Sequence, residues 1–256
     1  MQSMAHAKGV PTPLNTDSAL LRTVAILTMF VDHAGVVFFP QIPEMRVIGR
    51  IAFPLFCWGI VLGSLYTHDW RKYALRLLIG GLISQYPYML GLGHRWYELN
   101  VMFTLLLGLL AVVSIQKNFF GSAWWGPLVC LALAAAFRMD YGWRGVLLMI
   151  FMYLCRGSKG AFSAMMVAFC LYWGSASGDV TGLFGMNADL FAGNQVLGRL
   201  YGPVREFFRL QGMAILSLPL MLIGTESKLR YPAWIHYAAY PGHLLLLYAL
   251  KEILPR

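Results

Sequence analysis

An arginine and a histidine inside one apolar run are the residues of this sequence best suited to chemistry. Arg22 and His33 lie eleven positions apart in the stretch LRTVAILTMFVDHAGVVFFP, residues 21–40. At about 3.6 residues a turn, both side chains lie on one face of a helix, about 16 Å apart along its axis. An imidazole, with an unperturbed pKa of about 6.5, is suited to removing a proton at neutral pH. We therefore predict that His33 is a general base; the alternative is a neutral imidazole bonded to a neighbouring helix.

Asp32 is adjacent to His33, so on a helix the two side chains point about 100° apart and do not face each other. A carboxylate inside lipid is costly unless a cation pairs with it. Arg50, in the run GRIAFP, is the cation that we expect Asp32 to meet, and the pair would brace the first two predicted helices. Asp32 is also kept among the candidate catalytic residues because it adjoins His33.

Two further histidines lie near the end of the chain. His236 and His243 are seven positions apart and would share a face of a straight helix, but Pro241 between them argues against a straight one. No carboxylate or thiolate lies near them in sequence to complete a metal site, so no metal is expected. The cysteines form no CxxC pair and are predicted to be buried free thiols: Cys57, Cys130, Cys155 and Cys170.

Composition places the chain in a membrane. Hydrophobic residues make up 59% of the 256 positions and charged residues only 12%, whereas a soluble domain is about 25% charged. The net charge of +9 comes from Lys and Arg residues scattered singly or in pairs between apolar runs. That scatter fits loops at an anionic lipid surface, so membrane lipid is the expected surrounding and nucleic acid is excluded as a partner.

A membrane-crossing helix needs about 20 mostly apolar residues. The runs predict a polar tail over 1–18 and one all-α transmembrane domain over 19–256. The predicted spans are 19–39, 47–66, 73–92, 99–116, 123–138, 142–155, 160–175, 209–224 and 232–250. A cytoplasmic N-terminus is predicted from the adjacent cations Arg71 and Lys72 in a short loop, since cytoplasmic loops carry an excess of Lys and Arg. Residues 176–208 predict a long loop that ends in an interfacial helix.

Five ordered stretches carry a resemblance to a known family. They are ILTMFVDHAGVVFFP, the long run from MRVIGRIAFP to SQYPYML, LNVMFTLLLGLL, YGWRGVLL and HYAAYPGHLLLLY. In this order they resemble the TraX family of membrane proteins, over residues 19–116, 141–150 and 209–250. Five blocks in one order are more specific than any one of them alone.

The resemblance implies a fold and an activity. TraX proteins of conjugative plasmids are associated with acetylation of the pilin N-terminus in the membrane, with acetyl-CoA as donor. The family is similar to the acyltransferase-3 superfamily, which implies a polytopic bundle of about nine to ten helices in the inner (cytoplasmic) membrane. That superfamily carries an Arg, ten residues and then a His in its first helix, and Arg22 and His33 match this spacing.

On this resemblance, His33 would take a proton from an acceptor amine or hydroxyl. Asn100 or His243 would donate to the oxyanion of the tetrahedral intermediate. The acceptor stays open between the amine of a pilin or other peptide and the hydroxyl of a glycan. A non-enzymatic transporter or assembly scaffold is the alternative function. The cations expected to bind acetyl-CoA are Arg22, Arg50, Arg71, Lys72 and Arg76.

Overall fold

Helices make up the regular structure of the residues that the computed structural model describes, which are 12–178, 209–229 and 232–253. The α-helices are α1 (Ser18–Val37), α2 (Pro43–Gly49), α3 (Ala52–Tyr66), α4 (Trp70–Leu92), α5 (Val101–Lys117), α6 (Ser122–Ala136), α7 (Gly142–Cys155), α8 (Lys159–Ser175), α9 (Leu218–Leu222) and α10 (Ala233–Ile253). Short 3₁₀-helices cover Phe119–Gly121 and Gly212–Ser217. The prediction of an all-α fold is confirmed over these residues.

Several of these helices are suited to a membrane. Within the described ranges, three helical segments are long and apolar enough to cross one: Ser18–Val37, Pro43–Tyr66 and Phe119–Ala136. Large apolar side chains such as Leu82 and Leu128 are 61% and 66% exposed on the bundle surface. Water opposes such exposure and lipid favours it, so the surface indicates a membrane protein.

Successive helices run in opposite directions between two ends of the bundle. We call the end where α1 begins the near end, and the end where α1 stops at Val37 the far end. The connections are short, so α3, α5 and α7 start at the far end and α4, α6 and α8 at the near end. α10 also starts at the near end, because His243 in its second half contacts His33 close to the far end of α1.

α3 is the central helix of the bundle. It packs against α1, α5 and α7, and side chains all around it are buried, among them Leu55 and Trp58. The Trp58 indole would be left with an unpaired N–H in an apolar core, but it donates to the Asn15 carbonyl at 2.8 Å. A helix that is apolar on every face belongs inside the protein, and its buried first turn places Arg50 in the interior.

The last residues of the predicted polar tail belong to the fold. Leu14 and Asn15 are buried. The Asn15 side-chain amide donates to the Leu220 carbonyl at 2.8 Å and to the Thr225 hydroxyl at 3.0 Å. These contacts tie the chain before α1 to the segment after α9.

Asp17 completes this attachment. Its carboxylate caps α1 by accepting from the Leu20 N–H at 3.1 Å, and it accepts from the backbone N–H and the hydroxyl of Ser227 at 2.6 and 2.9 Å. Partial burial acts to raise the pKa of Asp17, but these hydrogen bonds outweigh it and the pKa lies below its ordinary value. We call Asn15, Asp17, Thr225 and Ser227 the near-end clasp.

The predicted span over 209–224 crosses the bundle, but only its last five helical residues are α-helical. The backbone of Gly212 lies against Gly174 at the far end, and the Met221 carbonyl accepts from the Asn15 N–H at the near end. The chain covers this distance as a 3₁₀-helix followed by five α-helical residues. Because a 3₁₀-helix rises about 2.0 Å a residue against about 1.5 Å for an α-helix, fewer residues reach across.

Neither Pro241 nor Pro87 ends its helix. α10 is continuous through Pro241, and α4 is continuous through Pro87. Proline removes one hydrogen bond, which neighbouring helices compensate, whereas a loop in lipid would leave many backbone groups unpaired. Pro54 lies in the first turn of α3, where its missing N–H costs nothing.

The structure tests the predictions for the four cysteines and for residues 176–208 only in part. The cysteines are free: Cys57, Cys130 and Cys170 are buried, and Cys155 is half-buried. Of the predicted loop and interfacial helix at 176–208, residues 179–208 lie outside the described residues.

The near-end clasp makes the free energy of unfolding depend on pH in the acidic range. Since the pKa of Asp17 is lower in the folded state, the clasp contributes fully above the unfolded value of about 4 and is lost as the pH falls through the folded pKa. We expect Asp17→Asn to destabilise the protein by about 1 kcal/mol at neutral pH and to flatten the loss of stability in acid. Thermal unfolding in detergent between neutral pH and about pH 3 measures both effects.

Glu226→Gln is the matched control, because this exposed carboxylate lies in the same loop. Equal acid dependence in the wild type and Asp17→Asn would contradict a role for the clasp.

Candidate active site

A cavity of about 540 Å³ lies at the far end of the bundle. We call it the far cavity. It forms where α1, α4, α6 and α8 end and where α3 and α7 begin, so its walls come from many separate parts of the sequence. The charged groups, imidazoles and large rings that line it are Asp32, His33, Arg46, Arg50, Tyr88, His94, Asp140, Tyr141, Trp143, Arg144 and Trp173.

Two guanidinium groups hold the buried carboxylate of Asp32. Arg50 bonds both of its oxygens, at 3.1 and 3.2 Å, and Arg46 bonds Oδ1 at 2.8 Å. The predicted ion pair between Asp32 and Arg50 is confirmed, and Arg46 is an additional partner. Gly49 allows this approach, because a side chain at that position would overlap the Asp32 carboxylate. The cluster joins α1 to the start of α3.

His33 forms a hydrogen-bonded pair with His243. The Nδ1 of His243 lies 3.0 Å from the Ala239 carbonyl, and a carbonyl can only accept, so this nitrogen carries the proton. The Nε2 of His243 therefore accepts from the Nδ1 of His33, at 2.7 Å. With both rings neutral, the remaining lone pair of His33 lies on Nε2, and no described group is hydrogen-bonded to that atom.

Two smaller cavities continue from His33 toward the near end. The first, of about 30 Å³, is lined by His33, Met29, Phe56 and Tyr240, and we call it the waist. The second, of about 90 Å³, shares Met29, Phe56 and Tyr240 with the waist and is lined by Arg22 nearer its other end; we call it the near cavity. The prediction that Arg22 and His33 lie on one inward stripe of α1 is confirmed, and the stripe lines a row of three cavities.

The other predicted phosphate-binding cations lie at the near end, except one. Arg71 and Lys72 are exposed at the start of α4. Arg76 and Arg22 lie within electrostatic reach of Tyr73, which lines the near cavity. Arg50 does not belong to this set, because it lies at the far end with its guanidinium bound to Asp32.

The two predicted oxyanion donors have other partners. Asn100 caps α5, and its amide donates to the Gly81 carbonyl at 2.8 Å and to Gln85 Oε1 at 2.9 Å. Asn100 is fully buried and is not among the described residues that line the three cavities. Both nitrogens of His243 are engaged, by His33 and by Ala239. Neither side chain is placed to donate to a reacting oxygen.

Other polar groups that line these cavities were not among the predicted site residues. Tyr240 lines the waist, and its buried hydroxyl lies close to the Val101 backbone N–H but donates to none of the described residues. Arg46, Asp140 and Arg144 line the far cavity. The block YGWRGVLL and the Asp that precedes it were the available signal for Asp140 and Arg144.

Asp140 lies in the loop between α6 and α7. Burial raises the pKa of its carboxyl to about 6, although the positive charges of Arg50 and His94 act to lower it. At neutral pH the group is mostly ionised but can take up a proton readily. No described cation forms an ion pair with it.

Comparison with known proteins identifies the family. A family model described as TraX protein matches residues 17–251, which is nearly the whole chain. The chain belongs to the TraX family. No solved structure matches it.

Relatives of this TraX-family chain align over part of its length. Protein TraX of Escherichia coli is 32% identical over 122 residues, which are 43% of this chain and 47% of that protein. The uncharacterized protein RP591 of Rickettsia prowazekii is 29% identical over 55% of this chain and 56% of its own length. A probable fimbrial assembly protein, FimC of Dichelobacter nodosus, is 33% identical over 36% and 44%. The chain thus spans about half the length of the relatives it matches.

The Asp32 cluster should dominate the stability of this end of the bundle. Asp32→Asn would leave Arg50 buried without its counter-charge, and breaking a buried pair in this way costs about 3–5 kcal/mol. Arg46→Gln should cost much less, because the Arg46 side chain is 31% exposed and Arg50 still pairs with Asp32. Thermal unfolding in detergent compares the two variants, and equal losses would show that Arg50 is not the principal partner.

Proposed function

We propose that this protein is a membrane acetyltransferase that passes an acetyl group from acetyl-CoA to an acceptor held in the far cavity. The observation that carries the proposal is the position of His33, whose ring lines both the far cavity and the waist. Its free Nε2 is a base at the place where a donor from the near end and an acceptor from the far end would meet. The predicted link to the acyltransferase-3 superfamily is part of this proposal.

The near end offers groups that suit acetyl-CoA. Its phosphates would meet the exposed cations Arg71, Lys72 and Arg76, and its slender arm would follow Arg22 into the near cavity. When bound, acetyl-CoA supplies an activated acyl carbon. The waist, at about 30 Å³, is the smallest of these three cavities. It therefore suits a two-carbon acyl group better than a long one.

The reaction needs one base and one hydrogen-bond donor. His33 accepts the proton of the attacking nitrogen or oxygen on Nε2 as the bond to the acyl carbon forms. It returns that proton to the departing thiolate as the carbon–sulfur bond breaks, so the imidazole ends neutral. The Tyr240 hydroxyl is buried beside the waist and donates to none of the described residues, so we assign it to donate to the carbonyl oxygen as charge develops there.

His243 acts through His33. By accepting a hydrogen bond from the Nδ1–H of His33, it fixes the His33 tautomer whose lone pair lies on Nε2, as an aspartate does for the base of a catalytic triad. We therefore assign His243 a positioning role in place of the predicted oxyanion role.

The acceptor and the orientation complete the proposal. A peptide N-terminal amine is the preferred acceptor, and the similarity to a probable fimbrial assembly protein supports a surface-fibre subunit as its source. A glycan hydroxyl is the second acceptor to be assayed. In this proposal the chain lies in the inner membrane with its near end in the cytoplasm, where acetyl-CoA is available.

Transfer of labelled acetyl groups tests the proposal. Purified protein in nanodiscs is incubated with labelled acetyl-CoA and with peptide or glycan acceptors. We expect His33→Gln to lower the transfer rate by about 10²–10⁴-fold because the base is lost. Tyr240→Phe should lower it by about 10²-fold because one oxyanion donor is lost.

Arg138→Gln is a suitable control, because Arg138 is exposed and is not among the residues that line the cavities. Undiminished transfer by a folded His33→Gln would exclude His33 as the base. If the wild type neither binds CoA nor turns over the thioester, the chain is a scaffold or a transporter.

The positioning role of His243 has its own signature. We expect His243→Leu to lower kcat at least about tenfold and to move the acidic limb of the pH profile of kcat/KM, because His33 loses the acceptor that fixes its tautomer. His243→Gln should keep much of the wild-type rate, since an amide oxygen can also accept a hydrogen bond from His33. A pH profile that His243→Leu leaves unchanged would assign His243 to packing alone.

A further inference from the structure

We propose that the far cavity recognises an acceptor with two charges, a reactive amine that Asp140 attracts and a nearby carboxylate that Arg144 binds. The inference rests on the proposed acetyl transfer for its choice of amine. It goes further by naming the substrate class as a peptide whose N-terminal amine is followed closely by an acidic side chain.

Arg144 is a cation without a counter-charge among the described residues. It lines the far cavity from the first turn of α7, and none of the described carboxylates lies within ion-pair distance of it. Its Nε is buried and has no hydrogen-bond partner among the described residues. Its guanidinium lies 5.0 Å from the centre of the Trp143 ring, a contact that orients the group but leaves its N–H donors unused. A guanidinium fork of this kind matches a carboxylate.

Asp140 is the complementary group. It lines the same cavity four residues earlier in the chain, and it forms no ion pair with Arg144 or with any other described cation. It also lines the waist beside His33, which places an anion close to the base. Arg50 attracts the Asp140 carboxylate and the Tyr141 N–H bonds it, but neither forms an ion pair with it, so the carboxylate can still bind a cationic group of a ligand.

The backbone between these residues keeps them apart. Tyr141 and Gly142 have φ values of 63° and 47°, both in the left-handed region, which is rare for a tyrosine. The turn joins Asp140 to the first turn of α7, and the Tyr141 ring stacks on Phe53 at 3.7 Å between centroids. A strained turn that is held by packing on both sides is a feature of binding sites.

A peptide carboxylate fits this cavity better than a lipid phosphate. The other charges there are already paired, because Arg46 and Arg50 bind Asp32 and His94 contacts Glu98. Aliphatic wall residues are few, so the described walls form no groove for acyl chains. The site therefore offers one open anion position and one open cation position within polar and aromatic walls.

Peptide binding without acetyl-CoA tests this inference apart from catalysis. The full chain in nanodiscs of phosphatidylcholine is titrated with short Gly–Ser peptides that carry a free amine and one Asp, placed in turn at each position after the first. Matched peptides carry Asn instead. We expect one Asp position to lower Kd by about tenfold or more relative to Asn. N-acetylation of that peptide should weaken its binding.

Variants assign the two charges. Arg144→Gln should remove the preference for Asp over Asn, Arg144→Lys should keep part of it, and the control Arg138→Gln should leave it intact. Asp140→Asn should weaken binding of peptides with a free amine but not of acetylated ones. These effects do not require turnover, so they would persist if the acyl donor proved to be something other than acetyl-CoA.

Two outcomes would overturn the inference. One is an equal Kd for Asp and Asn peptides at every position in the wild type. The other is binding of glycerophosphate, or of phosphatidylglycerol in the disc, that depends on Arg144 while the peptides show no preference; this would assign the cation to a lipid headgroup.

Discussion

A carboxylate buried between two guanidinium groups is the interaction on which the far half of the bundle depends. Asp32 lies beside His33 on α1, and its bonds to Arg46 and Arg50 fix α1 against the start of α3. In a surrounding of low polarity, an uncompensated charge would force these helices apart or admit water. The absence of a side chain at Gly49 lets the groups meet. The direction of the His33 ring follows from this contact, because the two residues are adjacent.

The lengths of the apolar runs were sufficient to predict most helices. The free-energy cost of an unpaired carboxylate in lipid was sufficient to predict the Asp32–Arg50 pair. Both are local or nearly local properties, since a buried acid must find a cation and Arg50 was a neighbouring candidate. The pairing of His33 with His243 joins positions 210 apart, and nothing in either local pattern predicts such a contact. The crossing from Gly212 to Met221 was predicted as a span, but its helix type was not, because the distance to be covered decides the type of helix and composition does not.

The site residues also divide into those that local sequence predicts and those that depend on distant contacts. Arg22 and His33 could be placed on one stripe from helix geometry alone. Asn100 was chosen as a polar residue beside a span, but polar residues at a helix start usually cap it, as this one does. Asp140 and Arg144 were passed over because a turn with charges is ordinary in sequence. Their significance arises only when many helix ends enclose one cavity and leave these two charges without an ion pair among the described residues.

The histidine pair has a consequence for how the protein is made. One imidazole belongs to α1 and the other to α10, so the helix made first and the helix made last among those described share the proposed catalytic group. During synthesis, a chain that has inserted every helix except α10 has His33 without the acceptor that fixes its proton. The near-end clasp likewise cannot form until Ser227 has been synthesised. Under the proposed function, a chain that lacks α10 would not have this acceptor, so the site would be complete only after the last described helix has inserted.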